Sequence, residues 1–339
     1  MSDLQAGSAP PKQRDAYWDN VKGVLIILVV FAHLIEQLFS TFGFAKPLWA
    51  TVYSFHMPAF ILVSGYMASR SSKDPVDRVP KMLGYYVAIE VIYTLVDLAT
   101  GKAKEFSLQI LTPRYGCWYL LFLAFSYLAI HYLKEKPRNT MLLAGLLVGL
   151  LRGFDPTLTN EGGLVRFANF FLFFLIGYFF DLNLVIDRFR RHKLWSLLAF
   201  IAVDSALYML VVKKWFNRRQ FTGAVSYQEL YPDQLWRALL MQLVCYAISL
   251  LLSLCLFALI SRRQSLLTYI GRNSLWIYLA HIVIVSRGYA WLTAHVFDGT
   301  RKRGAFYAIA ITGAILLAVL GVMAAIQALR RRRLQKRAP

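Results

Sequence analysis

Apolar residues gather along the chain into runs of about 17–25, parted by short polar stretches, and a run of that length spans a hydrocarbon core about 30 Å thick. Ten spans can be read, at about 21–39, 48–68, 80–99, 116–133, 139–154, 164–181, 194–212, 235–260, 269–296 and 304–329. The first resembles a signal peptide in position, but it is long, lacks a small-residue cleavage site and carries a histidine. It is therefore expected to be retained. The pattern predicts an all-α, polytopic integral membrane protein with about ten transmembrane helices around a central cavity. Its expected divisions are an N-terminal cytoplasmic segment (1–20), a transmembrane domain (21–329) and a basic cytoplasmic tail (330–339). The longest outside loop, near 213–234, is too short to pack a core of its own. There is no internal repeat, and no pair of interrupted spans of the kind found in inverted-repeat transporters.

Composition agrees with the pattern. Of 339 residues, 58% are hydrophobic and 17% charged, against about 45–50% and 25% in soluble domains. A soluble enzyme and a disordered chain are both excluded. The net charge of +20, from 38 Lys and Arg against 18 Asp and Glu, sits in short loops and in the run Arg330-Arg331-Arg332-Arg333. That is the distribution of the positive-inside rule, not of a nucleic-acid binder. Lys12 and Arg14, Arg70 to Lys81, Lys134 to Arg138, Arg188 to Lys193, Arg262 and Arg263, and the tail fall on one side. Both termini are thus expected in the cytoplasm, with the plasma (inner) membrane as the location and membrane lipids as the surroundings. Cys117, Cys245 and Cys255 lie in apolar runs without metal-ligand spacing, so neither a disulfide framework nor a metal is expected.

An ionisable side chain inside a span is costly and is a functional candidate by default. In span one, Lys22 and His33 are eleven residues apart, about three full turns plus 20°, and so share a face roughly 16 Å apart. Asp19 stands one turn before Lys22, and Glu36 one turn after His33. Lys22 alone also fits a positive-inside anchor, and His33 a hydrogen-bonded packing residue. In span two, Pro58 frees the carbonyl of Ser54 and predicts a kink beside His56, while Ser64 and Gly65 permit close helix approach. Span nine carries Asn273, Ser274, Tyr278 and His281. Counted from the span ends, His33, His56 and His281 all lie about 18 Å from the inner face, so the three rings are expected at one level of a shared cavity. Arg166 points into that cavity or snorkels to the interface. Glu90, Asp204 and Arg287 have no evident partners.

These residues resemble the membrane-bound acyltransferase-3 family, most closely its fucose 4-O-acetylase-like branch. Asp19-x-x-Lys22 with His33 matches the family's opening motif, and Phe55-His56-x-Pro58-x-Phe60 with Ser64-Gly65-Tyr66 its second span. Arg78-Val79-Pro80-Lys81 matches its basic pair, with Lys in place of the usual second Arg. Trp118-Tyr119-Leu120, Phe174 to Tyr178 with Arg166 upstream, and Asn273-Ser274 through Tyr278 and His281 follow in the family's order. The resemblance covers most of the chain, from about 15 to 285, without an esterase-like extension.

The resemblance implies transfer of an acyl group, usually acetyl from acetyl-CoA, to a hydroxyl, often on a carbohydrate. Lys22, Arg78 and Lys81 at the inner edge then bind the phosphates of the acyl-CoA. Trp118 and Arg166, from the family-like segments, complete the expected donor-binding set. His33, oriented by Glu36, deprotonates the acceptor, and His56, Tyr278 or His281 supplies donors to the oxyanion. An acyl-histidine intermediate is a variant of this route. The expected acceptor is a sugar or glycolipid of the cell envelope. Two competing readings are a proton-coupled transporter, relaying protons through His33, Glu36 and Glu90, and a non-catalytic scaffold.

Overall fold

A computed structural model describes residues 15–157, 163–296 and 302–335. All regular structure among the described residues is helical: α1 (Ala16–Glu36), α2 (Ala45–Tyr53), α3 (His56–Ser69), α4 (Val79–Ala99), α5 (Trp118–Leu133), α6 (Arg138–Leu151), α7 (Leu164–Phe179), α8 (Leu182–Arg191), α9 (Lys193–Val212), α10 (Tyr227–Leu230), α11 (Leu235–Leu259), α12 (Leu266–Arg272), α13 (Ser274–Val283), α14 (Tyr289–His295) and α15 (Lys302–Gln335). Lys12, Arg14 and the end of the basic tail lie outside the described residues, whereas Arg330–Arg333 continue α15 without a break.

Among the described residues six helical stretches are long and apolar enough to cross a membrane, and a seventh candidate is α7 with α8, bent by 87° between them. The chain is an integral membrane protein. A helix stands in each of the ten apolar windows, but α5, α6 and α7 have 16, 14 and 16 residues, shorter than the ~20 of an upright span. Length and composition therefore support six to seven crossings where the sequence pattern suggests about ten.

Two local departures stand out. The basic stretch expected as a loop after span six is mostly α8, started by Asp181, whose carboxylate accepts the amide of Asn183. Leu182 and Ile186 bury one face of α8, which the charged residues around them obscure in the sequence. Span nine is broken: α12 ends at Arg272, α13 begins at Ser274, and a π-helical turn at Ile284–Gly288 leads into α14. Span two behaves as its proline dictates. Helix α2 stops before Ser54, His56 opens α3, and the Ser54 carbonyl left free by Pro58 accepts the hydroxyl of Ser249 from α11.

Glycine pairs set the two closest helix crossings. A Cβ on Gly65 of α3 would run into the carbonyl oxygen of Phe174 on α7, and one on Gly177 into that of Leu62. At the other crossing, Gly23 of α1 faces the Leu267 carbonyl of α12, and Gly271 faces that of Asp19. The obstacle is backbone each time, so no rotamer change relieves it. Gly65→Ala is expected to lower unfolding stability by about 1–3 kcal/mol, read as a drop in the thermal midpoint in detergent, whereas Gly84→Ala, with open space around it, leaves the midpoint unchanged.

Candidate active site

The last turn of α1, the break between α2 and α3, the middle of α13 and the loop before α5 converge on a cavity of about 250 Å³. His33, Glu36, Tyr53, His56, Tyr115, Trp118, Arg166 and Tyr278 all line it. The rings of His33 and His281 are 5.5 Å apart, and Tyr53 stands between His33 (6.3 Å) and His56 (4.7 Å). The three histidines thus gather, as their matched depths suggest, but they are not equivalent.

Nδ1 of His33 lies 3.3 Å from Oε2 of Glu36, one turn on. A carboxylate only accepts, so Nδ1 is the donor of this pair, and the neutral tautomer that makes this bond has its lone pair on Nε2. That nitrogen faces Gly116, whose added Cβ would come within 3.9 Å of it. The Nδ1 atoms of His56 and His281 instead donate to backbone carbonyls one turn earlier, Val52 of α2 across the break (2.8 Å) and Ile277 of α13 (3.3 Å). A neutral ring held in this way presents no second N–H. His281 is fully buried beside His33 and Tyr278 and does not line the cavity. The hydroxyl of Tyr278 is already spent on the Gly116 carbonyl, 2.5 Å away. Three expected oxyanion donors are therefore committed elsewhere.

Arg166 is differently placed. Its guanidinium lies 5.3 Å above the ring of Trp118, on the wall of this cavity, and among the described residues no carboxylate reaches ion-pair distance of it. Arg166 and Trp118 therefore belong with His33. They do not lie with Lys22, Arg78 and Lys81, with which the expected donor-binding set grouped them.

The loop over His33 is held by charges that the sequence left without partners. Glu90 on α4 accepts the amide of Arg114 (3.0 Å), and its other oxygen lies 3.5 Å from Nε of that arginine. Asp97, two turns on, pairs with Arg287 at 2.6 Å and with Arg114 at 3.5 Å. These contacts fix the segment in which Tyr115 takes a left-handed backbone (φ 52°), a conformation costing about 1–2 kcal/mol for a non-glycine residue. Its ring packs at 4.5 Å against that of His33, and Gln37 donates to its hydroxyl. Tyr115 and Arg114 carry no sequence signal beyond adjacency to Trp118.

A second cover comes from the 213–234 loop, whose 3₁₀ turn Arg218–Thr222 places Phe221 and Thr222 on the cavity wall. Arg152, buried at 5% exposure, holds this loop. It donates to Oδ1 of Asn169 (3.1 Å), to the Val225 carbonyl (2.9 Å) and to Oε1 of Gln242 (3.0 Å), and lies 5.9 Å from the Tyr227 ring.

Towards the start of α1, an apolar cavity of about 190 Å³ adjoins the first, and Met57, Tyr119 and Tyr278 wall both. Tyr127 lines its far side, with the Arg78 guanidinium 5.5 Å from that ring. Lys81 lies 5.7 Å from the ring of Tyr85, and Lys22 is bound to Asp19 at 2.7 Å. Asp19 also takes Arg272 at 3.2 Å, a cation absent from the expected set. Among the described residues no group of three His, Cys, Asp or Glu gathers as for a metal.

The acyltransferase domain family matches residues 15–326. The chain belongs to this family. It is similar to Nodulation protein NolL of Sinorhizobium fredii, 46% identical over 65 residues, which is 18% of each chain. It is also similar to Nodulation protein NolL of Mesorhizobium japonicum, 25% identical over 190 residues, or 51% of this chain and 50% of the relative. The chain thus spans about half the length of the second relative and under a fifth of the first. No solved structure matches it.

Proposed function

We propose that the protein is a membrane-bound O-acyltransferase of the fucose 4-O-acetylase-like kind, moving an acetyl group from acetyl-CoA to a carbohydrate hydroxyl. The observation that carries this reading is the arrangement of His33. Its Nδ1 is anchored on Glu36, its Nε2 faces a cavity, and that cavity adjoins an apolar one whose wall residue Tyr127 carries the Arg78 guanidinium over its ring.

In this reading Nε2 of His33 takes the acceptor's proton while its oxygen forms a bond to the thioester carbonyl. Collapse of the tetrahedral species breaks the carbon–sulfur bond, and the imidazolium returns the proton to the departing thiolate. Glu36 stabilises the imidazolium, and the Arg166 guanidinium faces the oxyanion in place of the committed hydroxyl and imidazoles. Lys22, Arg78 and Lys81 hold the donor's phosphates, and the apolar cavity takes its pantetheine arm. About ten spans within 21–329, both termini in the cytoplasm and residence in the inner membrane complete the proposal. The transporter reading loses support, because Glu90 is engaged by Arg114 and not aligned with His33.

Donor binding is the direct test. Arg78→Gln is expected to raise the acetyl-CoA Kd by about tenfold, the weight of one charge-assisted phosphate contact. Lys22→Ala has a smaller effect, since Asp19 already balances that ammonium. Acetyl-CoA should raise the wild-type thermal midpoint, as any ligand of the native state alone does. Equal stabilisation by ATP, or an unchanged Kd in Arg78→Gln, removes this rim as the donor site.

A further inference from the structure

Beside the His33 cavity lies a second and larger one, about 650 Å³, at the end of the bundle where α1 finishes. Four cations line it, Lys46, Lys214, Arg218 and Arg237, and no carboxylate does. The nearby Glu229 is taken by Arg219 at 2.6 Å. Among the described residues none of the four cations forms an ion pair: Arg237 rests on the Tyr231 ring and donates to Gln234 and the Trp215 carbonyl, while Arg218 lies over Phe39 and Trp49, with the Glu36 charge acting on it from beyond ion-pair distance. Four cations around one hollow with no carboxylate on its wall repel each other, and an anion in it relieves that repulsion.

Two further features narrow the ligand. Trp215, 64% exposed, and Tyr231 contribute aromatic surface to the same hollow, and amphipathic rings of this kind suit the face of a sugar as well as a cation. The turn Arg218–Thr222 forms the partition between the cavities, with Arg218 on one side and Phe221 and Thr222 on the other. Trp49, under Arg218, stacks at 3.6 Å on Tyr53 of the His33 cavity. A molecule seated in the large cavity therefore lies one turn of backbone from the His33 cavity.

We infer that this cavity is the acceptor subsite, and that the acceptor is an anionic saccharide whose phosphate or carboxylate is bound by Lys46, Lys214, Arg218 and Arg237 while a hydroxyl further along the molecule reaches His33. This inference rests on the acyltransferase reading for the fate of that hydroxyl, not for the anion site itself. Its volume lies within the usual range of about 300–1,000 Å³ for small-molecule sites.

The test uses the full chain in neutral phosphatidylcholine nanodiscs, with glucose 1-phosphate, glucuronate, glucose and inorganic phosphate as probes. Glucose 1-phosphate and glucuronate are expected to bind at least about tenfold more tightly than glucose, with inorganic phosphate competing and added salt weakening both. The double variant Lys214→Gln/Arg237→Gln should lose about tenfold in affinity for glucose 1-phosphate, while Lys104→Gln, a cation outside the cavity, does not. Trp215→Ala should weaken glucose 1-phosphate more than inorganic phosphate. Equal binding of glucose and glucose 1-phosphate, or unaltered binding in the folded double variant, overturns the proposal. So does loss of sugar-phosphate binding in phosphatidylglycerol nanodiscs, since the site would then belong to a lipid headgroup. Acetyl-CoA binding is measured alongside: intact donor binding without anionic-sugar binding sinks only this inference, and the converse sinks only the acyltransferase reading.

Discussion

His33→Ala is expected to lower kcat for acetyl transfer by about 10²–10⁴-fold, the range for removing a positioned general base, with the Kd for acetyl-CoA unchanged. The hydroxyl nucleophile has a high pKa, and Nε2 of His33 is the imidazole nitrogen on this cavity that is oriented through a carboxylate. His56→Ala and His281→Ala should cost stability more than turnover, because their Nδ1 atoms serve helix carbonyls. Glu36→Gln keeps a hydrogen bond to Nδ1 but removes the charge that steadies the imidazolium, so its loss should be smaller, about tenfold. Steady-state kinetics in proteoliposomes, with donor affinity from equilibrium binding, checks all four. Near-normal turnover in His33→Ala refutes the base assignment.

Arg152→Ala is expected to lower unfolding stability by about 3 kcal/mol, combining a cavity with the loss of three buried hydrogen bonds. The acceptors are not equally exposed to that loss. Asn169 Oδ1 keeps Gln242 as a donor and Gln242 Oε1 keeps Gln220, whereas no other side chain donates to the Val225 carbonyl among the described residues. The damage should therefore centre on the 213–234 loop and release Phe221 and Thr222 from the cavity. Arg152→Met, which fills the space and relieves a buried charge with no acidic partner among the described residues, should recover part of the stability. It should not recover turnover, because the loop still lacks its anchor. Arg152→Lys should do little better, since one ammonium does not reproduce a planar fork reaching three acceptors. Thermal midpoints and hydrogen exchange over 216–230 separate these outcomes.

What the sequence revealed divides along physical lines. Spans and their polar interruptions were legible because a bilayer demands about 20 apolar residues and penalises each buried charge. His33, His56 and Tyr278 were found on that penalty and do line one cavity. The kink beside His56 followed from Pro58, and a close helix approach from Gly65, though not that α7 is the helix it meets. Partners distant in sequence were not legible. Glu90 gives no hint that it receives Arg114 from the following loop, nor Arg152 that its acceptors lie on α7, on α11 and beside Val225. The direction of each imidazole proton also lay beyond the pattern, since it depends on backbone carbonyls within hydrogen-bond reach. That direction demotes His56 and His281 as oxyanion donors, as the bond to the Gly116 carbonyl demotes Tyr278, and raises Arg166. Finally, the 213–234 loop read only as too short to pack a core of its own, where it forms one wall of two adjoining cavities.

The decisive measurement is the position of the donor, by cryo-electron microscopy of the protein with a thioether analogue of acetyl-CoA. The adenosine phosphates should lie beside Arg78, the pantetheine arm between Met57, Tyr119 and Tyr278, and the acetyl group about 3–3.5 Å from where a hydroxyl on His33 Nε2 would attack. Nucleotide density among Lys214, Arg218 and Arg237, or an acetyl group that never reaches the His33 cavity, would contradict it.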